Sequence, residues 1–375
     1  MPSNDSAMLE SEVYCVPMSS PGDVSQVEAL FDGGHVEPKN VVAIMEQTEG
    51  DPYCRGYATL AMQNLLSGHL EISHQEVFDR IPMLMIGGVG GIMCPHINLF
   101  VKKPATMAAS GEERLSIGVA SSRVLAPEEF GTMTQVDLVA ETTKQAMADA
   151  GITSADEIHC VEIKCPAMTP TRIADAVGRG KTVVNGNPAA ASSMAKGACA
   201  LGVAVATGEV DRSTLSDGSI NVEKQHFSTV ASTSAGGEQV ACRAVVIGNV
   251  AGSPSRFVAA HGMMKDQLDI AGAREAFANA GLEMADGVLT EESRGQLAAC
   301  FVNAGGDFAP DVRGRRHTMH SDFLFSFGGI QAKTVVHGIV SSIVGDTLLL
   351  ASAGAEHQGP PGANLICVIA DAAAK

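Results

Sequence analysis

Tryptophan is absent from this chain of 375 residues, and only three tyrosines occur. With so few large rings and 40 glycines, tight turns and close backbone approach are expected. A basic surplus is also missing: 25 Lys and Arg stand against 42 Asp and Glu, a formal charge of −17. That balance excludes nucleic acid as the main partner, because phosphate binding needs a basic face. It disfavours anionic membranes for the same reason. No uninterrupted apolar run reaches the roughly 18–20 residues that span a bilayer. The acidic start, "MPSNDSAMLESEV", lacks the basic and apolar segments of a signal peptide. The nine cysteines, at 15, 54, 94, 160, 165, 199, 242, 300 and 367, form no CxxC pair. Most lie in apolar runs, and in a cytoplasmic protein, the location expected here, they serve as buried small hydrophobes.

What is present is a repeated order of elements. The 45% hydrophobic and 18% charged content describes a folded chain with a substantial core. Three strand-like runs end in polar or small residues: "VVAIMEQTEG" (41–50), "IHCVEIKCPA" (158–167) and "LAACFVNAGG" (297–306). Each leads to a helix-like stretch with one cation among small residues, "CRGYATLAMQNLLS" (54–67), "AKGACALGVAVATGEV" (195–210) and "AKTVVHGIVSSIVGD" (332–346). A second strand and a glycine-rich elbow follow, in "MLMIGGVGGIMC", "TVASTSAGGEQVAC" and "LLLASAGAEHQG". A third strand then closes each copy: "HINLFVKK", "RAVVIGN" and "ANLICVIA". The spacing is irregular, so this is no fixed-period solenoid. The predicted fold is α+β: three similar units around a pseudo-threefold axis, with sheets inside and helices outside. The unit boundaries are expected at residues 1–108, 109–252 and 253–375, within the polar stretches 102–116 and 251–266. Amphipathic helices over 138–152 and 270–284 lead into units two and three, and each meets an "AG" stop signal.

A serine hydroxyl is protonated at neutral pH and needs a neighbouring base to become a nucleophile. Lysine can be that base when burial or nearby cations lower its pKa. Lys164 ends the apolar strand "CVEIK" just before Pro166; a surface lysine there would simply snorkel to water. Ser234 in "STSAGG" and Ser352 in "ASAGAE" lie among residues small enough to admit a ligand and leave backbone N–H groups for an oxyanion. Each would otherwise be an ordinary turn residue.

Taken together, "EHQGPPGA" (356–363), "RGRRHTMHSD" (313–322), "EIKCP" (162–166) and "SMAKGACALGVAVATGE" (193–209) resemble the ring-opening cyclic amide hydrolases, represented by cyanuric acid hydrolase and barbiturase. "TEG" and "CPHI" support the resemblance, which covers nearly the whole chain. It implies three α+β units around an axis that holds the active site. Each unit then donates a Lys from its first strand, an Arg from its helix start and a Ser from its elbow. The Arg and elbow groups hold ring carbonyls, a Lys–Ser pair attacks, and water completes hydrolysis of a ring C–N bond. Carried onto this chain, unit one has Gln47, Arg55 and Ile86; unit two has Lys164, Lys196 and Ser234; unit three has Asn303, Lys333 and Ser352.

Only unit two keeps both amine and hydroxyl, so Lys164 is the expected base and Ser234 the expected nucleophile. Arg55, Lys196, Lys333, Ser352, Gln47, Ile86 and Asn303, with the elbow residues Gly87, Ala235 and Ala353, form the expected substrate-binding set. Ile86 cannot donate a hydrogen bond and lysine lacks the planar fork of arginine. A cyclic amide or imide less symmetric than cyanurate, of which barbiturate is the nearest known example, is therefore expected. Cyanuric acid hydrolysis is one alternative, and a non-catalytic relative that keeps a small-molecule cavity is another.

No cofactor is required. The "AEHQGPPG" loop is similar to one that in some relatives binds a structural Mg²⁺ or Ca²⁺ through backbone oxygens, here those of Ala355, Gln358, Gly359 and Pro360; the accompanying acid is replaced by Gly305. The resemblance also implies a homo-oligomer, a tetramer. "GGVGGIM" (87–93) lacks the spacing and the following helix of a nucleotide loop. His317 and His320 have no partner Cys or carboxylate set at zinc spacing. "RGRR" (313–316) is read as a solvated loop or subunit contact.

Overall fold

The computed structural model describes residues 8–50, 52–88, 91–106, 108–109, 111–305, 311–318 and 330–373. One plan occurs three times along the chain. The first copy contains β1 (Leu9–Pro17), α1 (Ser25–Asp32), β2 (Val41–Glu49), α2 (Pro52–Leu70), α3 (His74–Arg80), β3 (Met83–Gly88) and β4 (His96–Pro104). The second has β5 (Glu113–Val124), α4 (Met133–Ala150), β6 (Ile158–Pro166), α5 (Pro170–Gly178), α6 (Pro188–Thr207), β7 (Ala231–Gly236) and β8 (Ala241–Ala251). The third has β9 (Phe257–Met264), α7 (Ile270–Asn279), a hairpin of β10 (Met284–Ala285) and β11 (Val288–Leu289), and α8 (Glu291–Gln296). It continues through β12 (Leu297–Ala304), a hairpin of β13 (Asp311–Val312) and β14 (Arg315–Arg316), α9 (Ile330–Val344), β15 (Leu350–Ala353) and β16 (Asn364–Asp371).

The three four-stranded sheets have one topology, with orders β1-β4-β2-β3, β5-β8-β6-β7 and β9-β16-β12-β15. In each, the inner first strand pairs in parallel with the elbow strand and antiparallel with the closing strand. A parallel pair needs a crossover, and α2, α6 and α9 lie in the three crossovers.

Alternation along the strands decides which face goes where. In β6, Val161, Ile163 and Cys165 pack with α4 and α6 residues such as Val139 and Cys199. Cys160 points the other way, into a cluster with Met45, Ile86 and Phe100 of the first copy and Phe301, Leu350 and Cys367 of the third. All three sheets thus turn one face inward on a common core. The Phe100 and Phe301 rings stack there at 6.1 Å. The helices cover the outer faces. Gly118 on β5 is required by this packing, because a β-carbon there would run into the Ala146 carbonyl of α4.

Local chemistry sets the helix ends. Asn187 caps α6 by accepting from the Ala189 and Ala190 amides, with Pro188 at the first position, and Gly208 ends it at φ +80°. Gly151 ends α4 at φ +70°. α6 has the length and apolarity to cross a bilayer, which a count of uninterrupted apolar runs overlooks, because Lys196 interrupts it. In the fold it is a core helix, with Ala191, Ala195 and residues 197–204 buried.

Candidate active site

The site starts from strand register. Gln47 pairs with Ile86, Lys164 with Ser234, and Asn303 with Ser352, each across its own parallel ladder. Register partners project from the same side of a sheet. These three pairs share the faces that build the common core, so the sheets bring equivalent positions toward one centre. β15 also lies against β3 and β7.

Contacts between copies run in a ring. Lys164 of the second copy donates to the Met85 carbonyl of the first at 2.7 Å. Gln47 of the first accepts from the Ala351 amide of the third at 2.7 Å. Asn303 of the third accepts from the Ser232 hydroxyl of the second at 2.6 Å. The helix-start cations circulate in the opposite sense. Lys196 donates to the Gly354 carbonyl at 3.0 Å, Lys333 to the Gly87 carbonyl, and Arg55 approaches Glu238.

The three inner-strand positions differ in what they leave available. Gln47 also donates to the Ile86 carbonyl at 3.0 Å, so both ends of its amide are bound to backbone. The Asn303 carboxamide is bound by Ser232 and Glu162. Lys164 is 1% exposed and carries an amine. Burial pulls its pKa down to about 8; Glu238 opposes the fall, and Arg55 and Lys196 add to it. An amine so tuned is neutral in roughly one molecule in ten at pH 7, and in that form it can take a proton from a hydroxyl. The half-buried Ser234 is its register partner. The Ser352 hydroxyl is fully buried with no hydrogen-bond partner among the described residues. Ile86 is 3% exposed and offers an apolar wall. Gly87 and Ala235 are half-buried on their elbows, and Ala353 stands opposite Ala304 in the ladder.

One contributor, Glu238, was not singled out in the sequence, and another, Gln358, was read there only for its backbone oxygen. Glu238 folds back so closely over Gly236 that only glycine fits beneath it. Its Oε1 lies 3.8 Å from Lys164 Nζ and its Oε2 4.0 Å from Arg55 Nε. The only signal was a carboxylate just past a Gly-Gly pair, and spacing alone does not reveal the fold-back. Gln358 accepts from the Thr233 amide at 2.9 Å, one residue before Ser234. The Ser228 amide donates to the His357 carbonyl at 2.9 Å and the Gly359 amide to the Ser228 carbonyl at 2.8 Å, so this loop clamps the third copy to the second.

The same loop supplies the oxygens expected to hold a metal. A β-carbon at Gly305 would lie 2.8 Å from the Ala363 carbonyl oxygen and 3.1 Å from that of Gln358. The Pro360 carbonyl accepts from the Ala363 amide at 2.9 Å, and Glu356 pairs with Lys224. Ala355 is buried beside them. Among the described residues no group of three His, Cys, Asp or Glu side chains could hold an ion. Among the described residues a hard divalent cation here would meet neutral oxygens, with the Glu356 carboxylate already paired to Lys224, a poor fit to its chemistry. His320 lies outside the described residues.

Residues 12–371 match the family described as amidohydrolase ring-opening protein. A cyclic amide hydrolase of Azorhizobium caulinodans is 40% identical over 361 residues, covering 95% of this chain and 98% of its own. A cyanuric acid amidohydrolase of Enterobacter cloacae is 38% identical over 370 residues, covering 96% and 99%. A solved cyanuric acid hydrolase, described as an evolutionary innovation by structural concatenation, superposes with a TM-score of 0.92 at 36% identity and covers 97% of this chain and 100% of its own. A second, from A. caulinodans, gives 0.87 at 33% identity, covering 98% and 100%. With this match over nearly its whole length, the chain belongs to the ring-opening amidohydrolase family, as a divergent member.

Proposed function

We propose that the protein is a hydrolase that opens a cyclic amide or imide ring, with Ser234 as nucleophile and Lys164 as its base. One observation carries this reading: the single register pair that combines an amine with a hydroxyl is Lys164–Ser234, and burial lowers the pKa of that amine to about 8. The Ser234 oxygen attacks a ring carbonyl while its proton passes to Lys164 Nζ. The C–N bond then breaks, and the Lys164 ammonium returns the proton to the departing ring nitrogen. Water, with Lys164 again the base, releases the ring-opened acid and restores Ser234. A base positioned in this way contributes about 10²–10⁴ in rate. Arg55, Lys196 and Lys333 line the approach with positive charge, and Ser352 is available to a second carbonyl.

Ile86 supports a ring that presents an apolar edge to the first copy, which makes the substrate barbiturate-like or otherwise less symmetric than cyanurate. A buried carbonyl aimed at that wall would lack a donor, at a cost of about 1–3 kcal/mol. The relatives named for cyanuric acid favour cyanurate as the second reading. None of the nine cysteines forms a disulfide, in keeping with a cytoplasmic enzyme. The reading keeps a homo-oligomer, a tetramer, which sedimentation would measure. The deciding experiment is ring opening of barbiturate, cyanurate, glutarimide and hydantoin by the wild type, K164A and S234A. Turnover by the wild type and its loss in both variants is expected; equal turnover in all three would refute the assignment.

A further inference from the structure

Glu238 occupies an unusual electrostatic position. It lies between two cations, yet at 3.8 Å and 4.0 Å it is beyond hydrogen-bond reach of both. Its Oε1 and the Arg55 Nε are both buried without a hydrogen-bond partner among the described residues. Leaving a buried carboxylate oxygen and a guanidinium N–H unmade is costly, and such pairs persist where a ligand completes them. The turn that carries Glu238 is also held firmly. Arg172 donates to the Ala167, Gly237 and Gln239 carbonyls. The Gln239 side chain donates to the Met83 carbonyl at 2.9 Å and accepts from Arg243 at 3.0 Å. A carboxylate set between two such fixed residues is pre-organised rather than adventitious.

Read in order, Arg55, Glu238 and the Lys164–Ser234 pair make a donor, an acceptor and a donor. The edge of an imide, O=C–N(H)–C=O, is an acceptor, a donor and an acceptor. We infer that Glu238 accepts a hydrogen bond from the ring N–H of the substrate, with the flanking carbonyls at Arg55 and at Ser234, so that Glu238 sets the requirement for a hydrogen on the nitrogen beside the carbonyl attacked. This deepens the ring-opening reading and rests on it. A site built to hydrogen-bond a substrate N–H rejects an analogue lacking that hydrogen, because its own buried group is then left unpaired. N-alkylation at this nitrogen removes the hydrogen and puts carbon against the carboxylate.

The test compares glutarimide with N-methylglutarimide and barbiturate with 1,3-dimethylbarbiturate, in the wild type, E238Q and E238A. kcat/KM for ring opening and Kd by calorimetry are both read. The wild type is expected to favour the N–H ring by at least about 100-fold, and E238A to cut that ratio below about tenfold, mainly by loss on the N–H ring. E238Q keeps the shape without the charge and is expected to fall between them; it replaces E238A if that variant does not fold. A merely structural role would weaken both rings alike, and a ratio unchanged in E238A overturns the inference. If the wild type opens none of these rings, the ring-opening reading fails, and the Kd ratio alone decides whether Glu238 recognises the N–H. Binding without preference for the N–H ring, or no binding of either ring, overturns the inference.

Discussion

The second copy and its two neighbours share strand order, register and inward-facing core, yet of the three equivalent register pairs only the second joins a lysine to a serine. At the lysine position the first copy has Gln47 and the third Asn303, and both amides are tied by contacts to adjacent copies. Their hydrogen bonds belong to the assembly of the three sheets. Lys164 makes the equivalent contact with the Met85 carbonyl but keeps a basic lone pair when neutral. One set of positions therefore serves two purposes: in two copies it closes the ring of sheets, and in one it closes the ring and carries the amine proposed as the base. A second difference lies one layer deeper. Glu162 pairs with Ser232 in register, where the other copies have Met45 with Leu84 and Phe301 with Leu350. Burial raises the Glu162 carboxyl to about 7, so this polar layer beneath the Lys–Ser pair is specific to the second copy.

Removing what the second copy alone has should produce the largest effect. K164A and S234A are each expected to lower kcat/KM by roughly 10³-fold or more with the fold intact, as measured by ring-opening kinetics and circular dichroism. The pH profile should show the same base. Lys164 acts when neutral, and its neutral fraction grows as pH rises through about 8. kcat/KM is therefore expected to fall about tenfold for each pH unit well below that value. A flat profile from pH 6 to 9 would remove lysine from the role.

Making the first copy more like the second should alter selectivity more than rate. I86S restores an elbow hydroxyl opposite Gln47 and is expected to shift the cyanurate-to-barbiturate preference toward cyanurate by about tenfold. Breaking the first copy's stitch should act on stability. Q47L removes the side-chain partner of the Ala351 amide and leaves the Ile86 carbonyl only the long 3.5 Å contact from the Thr48 hydroxyl, and is expected to cost about 1–3 kcal/mol in urea unfolding. S352A removes a hydroxyl that has no hydrogen-bond partner among the described residues, so stability should stay within about 0.5 kcal/mol while KM rises.

Much of this was legible in the sequence because strands and elbows announce themselves locally. "EIKCP" and "STSAGG" each read as a strand end carrying a functional group, and the parallel ladder sets Lys164 opposite Ser234. The inward and outward faces follow from alternation in the same strands. What could not be read depends on contacts between distant copies. Gln47 is a plausible substrate ligand in the sequence, and only the Ala351 amide 304 positions away shows that its side chain is already engaged. Glu238 is hidden for a different reason: the missing β-carbon of Gly236 leaves room for its carboxylate to fold back toward Lys164, and no periodicity encodes such a fold-back. Gln358 is read in the sequence only for its backbone oxygen, and the reach of its side chain to the Thr233 amide of another copy could not be read there.

The central claim is that the second copy's serine becomes acylated. Rapid acid quench during turnover of the best ring substrate, followed by proteolysis and mass spectrometry, measures this directly. The expected result is one substrate-derived acyl group on the peptide containing Ser234 and none on the peptide containing Ser352. An acyl group on Ser352, or turnover with neither peptide modified, would contradict the account.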